Sequence, residues 1–123
     1  MGKTVLVVDD SSTMRQMVAY TLTNGGFTVV EAGNGKEAVA KLTGGAKPAL
    51  VVTDLNMPEM DGITLIQEIR KMAAFKFTPI LMLTTESADD KKKAGQAAGA
   101  TGWIVKPFNP EQMLKVIQKV LPA

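Results

Sequence analysis

The chain contains no cysteine and no histidine. The first absence excludes disulfides, thiolate metal sites and a cysteine nucleophile. The second removes imidazole general bases, Ser-His-Asp triads and imidazole ligands. Any metal must therefore be held by oxygen, which selects Mg²⁺, Mn²⁺ or Ca²⁺. No apolar run approaches the ~20 residues that cross a bilayer. The opening MGKTVLVVDD reaches acids too early for a signal peptide. A reducing, cytoplasmic location is expected. Charge of one sign is also lacking: 14 Lys+Arg face 12 Asp+Glu, a net charge of +2. That excess is too small to argue for nucleic acid or a membrane surface as partner.

What is present suits an ordinary globular protein. The chain has 123 residues, 46% hydrophobic and 21% charged, enough for one core in one domain. Short apolar runs alternate with segments of helical period. Residues 5–8 read as a buried strand by length and β-branching. Met14, Met17, Val18, Thr21 and Leu22 then recur at helical spacing, with Ser12 as N-cap and Gly25-Gly26 as the stop. Residues 27–32 read as the second strand. Asn34 followed by Glu37 resembles a capping box and opens a helix through Leu42, ended by Gly44-Gly45 and Pro48.

Residues 50–54 form the third strand, and Leu65, Ile66, Ile69 and Met72 the stripe of a third helix. Residues 79–84 read as strand four, 88–98 as a polar, Ala-rich helix, and 102–105 as a short strand five. Asn109 as cap and Pro110 at the first helical position open the last helix, with Met113, Ile117, Val120 and Leu121 facing inward. The pattern predicts one α/β domain over residues 1–123, a doubly wound parallel (βα)₅ sheet covered on both faces.

In such a sheet the binding crevice lies beyond the carboxyl ends of the strands, where the strand order reverses. Strand one ends in Asp9-Asp10, strand three in Asp54, strand four in Thr84-Thr85-Glu86 and strand five in Lys106-Pro107. Glu31-Ala32, ending strand two, belongs to no obvious set. A flavodoxin-like order 2-1-3-4-5, assumed rather than derived, makes strands one and three neighbours at the switch point. Three carboxylates then share one crevice, opposite a hydroxyl and an ammonium. Clustered carboxylates repel, and a hard divalent ion such as Mg²⁺ relieves that repulsion. Lys106 and Thr84 suit the oxygens of a transferring phosphoryl group, and Asp54 is a candidate nucleophile. Singly, an acid pair after a strand is a turn, a Lys-Pro a loop and a strand-end Thr structural. Their joint placement on the right strand ends points to Mg²⁺-dependent phosphoryl transfer to Asp54.

VLVVDD, TDLNMPEMDG, LMLTTES and GWIVKPF occur in this order at fitting separations. Together they resemble the receiver domain of two-component response regulators, over essentially the whole chain. Without an attached output domain, the chain is most similar to the single-domain chemotaxis regulators. The resemblance implies that Asp54 is the phosphoacceptor. Asp10 would ligate Mg²⁺ (Mn²⁺ as alternative) directly, Asp9 would act largely through water, and Asn56 would offer its backbone carbonyl. Lys106 would pair with the phosphoryl group across a cis bond to Pro107. Thr84 would be the switch hydroxyl and Trp103 the switch aromatic, shifting the surface of helix four, strand five and helix five.

The implied partners are a histidine kinase of chemotaxis type, the flagellar motor switch and a phosphatase. A monomer is expected, and not a turnover enzyme. Trp103 stands where Tyr or Phe is commoner, which implies hindered inward rotation. Thr85 stands where a smaller residue is common, which narrows access. Asn56, Thr85 and Glu86 occupy positions that tune the phosphoryl lifetime, and a short-lived adduct is expected.

Alternatives remain open. Within the family, a phosphate sink or a phosphorelay intermediate uses the same residues. A haloacid-dehalogenase-type aspartate phosphatase would need Asp-x-Asp on strand one, whereas Asp54-Leu55-Asn56 stands on strand three. A flavin mononucleotide carrier would need a phosphate loop where this chain has two acids. Elsewhere, Lys91, Lys92 and Lys93 read as a solvated helix face. Helix four, with only Ala88, Ala94, Ala97 and Ala98 as apolar residues, is expected to dock weakly. The eight methionines read as core filler.

Overall fold

A computed structural model of the chain describes residues 3–55, 57, 60–84, 89–106 and 108–121. Five strands, β1 (Thr4–Val8), β2 (Thr28–Ala32), β3 (Leu50–Asp54), β4 (Ile80–Thr84) and β5 (Gly102–Val105), form one parallel sheet. Their order is β2-β1-β3-β4-β5, the flavodoxin-like arrangement. The three inner strands are almost wholly buried, and the edge strands β2 and β5 are partly exposed. Alternate residues divide the core. Leu6, Val8, Val51, Ile80 and Met82 face one helical layer, and Val5, Val7, Val52, Leu81 and Leu83 the other. Burial on both faces explains why these strands read as continuous apolar runs.

The helices are α1 (Ser12–Asn24), α2 (Gly35–Thr43), α3 (Gly62–Lys71), α4 (Asp89–Ala98) and α5 (Pro110–Val120). The described N-caps have reasons in the sequence. The Asn34 side chain accepts from the Glu37 N–H at 2.8 Å, and Asp61 from the Thr64 N–H at 2.8 Å. Asn109 accepts from Glu111 and Gln112 at 2.9 and 3.2 Å, ahead of Pro110. Helix α1 departs from expectation by one position. Its cap is Ser11, not Ser12, because Ser11 is held extended while its N–H donates to Asp9 Oδ1 at 2.9 Å.

Other differences are local. Phe27 stays outside β2 because its N–H closes the end of α1 on the Leu22 carbonyl at 3.0 Å. Pro79 accepts from the Val51 N–H but has no N–H of its own to extend β4. Met17 was expected in the α1 stripe and is 51% exposed, while Met82 and Met113 are fully buried. Helix α4 leans on a residue not singled out from sequence. Gly95 is buried, and a Cβ there would meet the Met82 sulfur, while Ala94 and Ala97 are exposed.

The far end of α4 is fastened by Arg70. Its Nε and Nη2 donate to the Gly99 carbonyl at 3.0 and 2.7 Å. Its Nη1 donates to the carbonyls of Phe75, Lys76 and Thr78 at 2.9, 3.2 and 2.6 Å. One guanidinium thus joins the end of α3, the turn before β4 and the turn after α4. Gly99 has φ +115, and a Cβ there would press on the Arg70 stem. Arg70→Met keeps the stem and removes every donor. Its unfolding free energy in urea is expected to fall by roughly 2 kcal/mol, with the slope unchanged.

Candidate functional site

The reversal in strand order falls between β1 and β3, and the sequence-predicted residues meet there. Val8 pairs with Thr53, so Asp9 steps out of β1 beside Asp54, the last residue of β3. Asp54 pairs with Leu83, and Thr84 closes β4 one residue on. The Lys106 N–H donates to the Thr84 carbonyl at 2.8 Å, which brings the lysine in from β5. Lys106 Nζ lies 3.2 Å from Asp54 Oδ1 and 3.5 Å from Asp9 Oδ2. Asp9, Asp54 and Thr84 are buried, and Asp10 is exposed. Carboxylate oxygens of Asp9, Asp10 and Asp54 lie within 4.8 Å of one another.

Several supports were not legible beforehand. Gly62 lets α3 begin against the site strand. A Cβ there would collide with the Asp54 carbonyl and, at 2.8 Å, with Leu55 Cα. Glu31, unassigned from sequence, holds Arg15 Nε at 3.0 Å, and Arg15 Nη1 donates to the Asp9 carbonyl at 2.7 Å. Lys41 Nζ donates to the Glu31 carbonyl at 2.6 Å. These contacts set the backbone from which the Asp9 side chain enters the crevice. No local spacing rule joins residues so far apart in sequence. Asn56, Thr85, Glu86 and Pro107, and with Pro107 the expected cis bond, lie outside the described residues.

Electrostatics favour a cation. Burial pushes the Asp9 carboxyl above its ordinary value, and neighbouring Asp54 and Asp10 push the same way. The Ser11 N–H and the Lys106 ammonium oppose the rise. Asp9 Oδ2 is buried and accepts no hydrogen bond among the described residues, and the Lys106 ammonium lies 3.5 Å away. Three carboxylates face one ammonium, and a divalent ion would supply the positive charge that the crevice is short of. Oxygen donors alone, one of them unsatisfied, fit Mg²⁺.

A profile of the response regulator receiver domain matches residues 5–118. The chain belongs to that family. The curated relatives of this receiver domain include chemotaxis protein CheY1 of Helicobacter pylori, 42% identical over 118 residues and 95% of each chain. The CheY homolog of Campylobacter jejuni is 41% identical, over 95% of this chain and 91% of its own. Among solved structures, the chemotaxis protein CheY4 of Vibrio cholerae superposes with a TM-score of 0.94 at 50% identity. That match covers 98% of this receiver domain and 100% of CheY4.

The raised Asp9 value has a signed consequence. The folded state binds its proton more tightly than the unfolded chain does, so stability falls as pH rises above the ordinary value of 3.8. In chelator-treated protein, Asp9→Asn is expected to raise the denaturation midpoint at neutral pH. That gain should vanish below the ordinary value. Mg²⁺ at a hundred times its Kd should stabilise the wild type by about 2.7 kcal/mol and the variant by less. Denaturation curves across pH, with and without Mg²⁺, check both signs.

Proposed function

We propose that this receiver domain is a phosphorylation-driven signalling switch whose acceptor is Asp54. One observation carries the reading: a buried carboxylate at the switch point contacts an ammonium at 3.2 Å and shares its crevice with Asp9 and Asp10. The donor is a phosphohistidine of a kinase. An Asp54 oxygen bonds to phosphorus as the P–N bond breaks, and the electron pair returns to the imidazole nitrogen, which takes a proton. Lys106 neutralises charge on the phosphoryl oxygens, and the Thr84 hydroxyl reaches the same group. Asp9, Asp10, Asp54 and the Asn56 carbonyl are the residues that would hold Mg²⁺. The ion would supply charge neutralisation for the incoming oxygens. The chain's own chemistry is confined to gaining and losing this group, so it is a switch rather than a turnover enzyme.

The names of its relatives support chemotaxis as the setting; the flagellar motor switch as output partner and a cytoplasmic location are part of the same proposal. No described helix is long and apolar enough to cross a membrane. Adding a phosphoryl group makes the crevice around Lys106 more negative. Thr84 and Trp103 relay the resulting shift to the face formed by α4, β5 and α5. Phosphate-sink and relay roles share the acceptor and differ only in what binds that face.

Incubation with a small acyl phosphate and Mg²⁺ should add the mass of one phosphoryl group to the wild type and none to Asp54→Asn. Omission of Mg²⁺ should abolish the adduct. Labelling that persists in the variant would move the acceptor elsewhere. With donor removed, the adduct should decay within minutes by phosphate release, and survival for hours would remove Asn56, Thr85 and Glu86 as determinants of a short lifetime.

A further inference from the structure

Trp103 is the only tryptophan in the chain. It pairs with Met82 in the middle of the edge strand β5, is half-buried, and lines two surface hollows of about 380 and 300 Å³. Facing it is α4, which contributes few apolar side chains and is let in by Gly95. Burial of so little apolar surface gives that helix weak attachment. The Lys92 side chain compensates. Its ammonium lies 4.8 Å from the centroid of the Trp103 ring. A cation there is drawn to the ring's negative face, and indole is the strongest of the aromatic acceptors. Lys92 is half-buried while Lys93 is exposed, so the lysine run is not the uniformly solvated face that its sequence suggests.

The same strand that holds Trp103 runs on into Lys106, whose ammonium rests on Asp54 and Asp9. Resting on the phosphoacceptor reading above, we infer that Lys92 is a positioning residue: it latches α4 onto β5 through Trp103 and so biases the domain toward the arrangement with Lys106 on those two carboxylates. A ligand at Asp54 that favours another setting of α4 and β5 must displace the latch. Its apparent affinity is lowered by that bias, and the coupling is reciprocal.

The single tryptophan makes the latch directly readable. The full chain is compared as wild type, Lys92→Gln and Lys92→Arg, by acrylamide quenching of tryptophan emission and by titration with beryllofluoride plus Mg²⁺. Lys92→Gln is expected to change the quenching constant and to tighten beryllofluoride binding by about two- to fivefold, the scale of one cation–π contact at a partly exposed site. Lys92→Arg keeps a cation over the ring and should match the wild type in both. Unchanged quenching or unchanged affinity in Lys92→Gln overturns the latch, as does an Arg variant that behaves like the Gln variant. A wild type that takes no beryllofluoride removes the phosphoacceptor reading and the coupling with it. A wild type that binds while Lys92→Gln binds equally removes the latch alone.

Discussion

Two buried carboxylates share one ammonium at the carboxyl edge of the sheet, and the surrounding architecture answers to that pairing. Asp9 and Asp54 are brought together by the β1–β3 register, which apolar side chains on both faces enforce. Their mutual repulsion would push the strand ends apart if nothing opposed it. Lys106 opposes it from β5, and the Arg15–Glu31 pair holds the Asp9 backbone from the other side. The apolar core thus sustains an acidic crevice that polar contacts alone would not assemble. A site with surplus negative charge and an unsatisfied buried oxygen is poised for a cation.

Around this centre, firmness is unevenly distributed. Helices α3 and α5 bury Leu65, Ile66, Ile69, Met113 and Ile117, and are held by burial. Helix α4 relies on a glycine contact, a guanidinium at its carboxyl end and a lysine over an indole. Among its described residues α4 buries only Gly95, and it lies beside the proposed output face. Elements that move in switching are drawn from the weakly held end of a structure.

The fold was legible because nearly every local signal agreed with it. The strands at 50–54 and 102–105 were read at their observed bounds, and Asn34 and Asn109 cap the helices they announced. The site carboxylates, Thr84 and Lys106 were legible because strand ends can be counted. What stayed hidden depends on tertiary approach. Glu31 finds Arg15 across the β1–β2 edge, Gly62 answers to a backbone brought near by the turn, and Gly95 to a methionine on another strand. Lys92 looked like one of three equivalent charges, and only the placement of β5 singles it out. Periodicity reports which face a residue takes, not what it meets there.

The Arg70 fastening at Gly99 gives α4 the mechanics of a lever. A helix of 10 residues, Asp89–Ala98, spans ~15 Å along its axis. Held at its carboxyl end, it would sweep its first turn through roughly 2.6 Å for a tilt of about 10°. The largest excursion falls at the end that follows β4 and the site, where Lys92 grips the edge strand. A small angular change would thus be magnified beside the proposed output face, at the end of α4 away from Arg70.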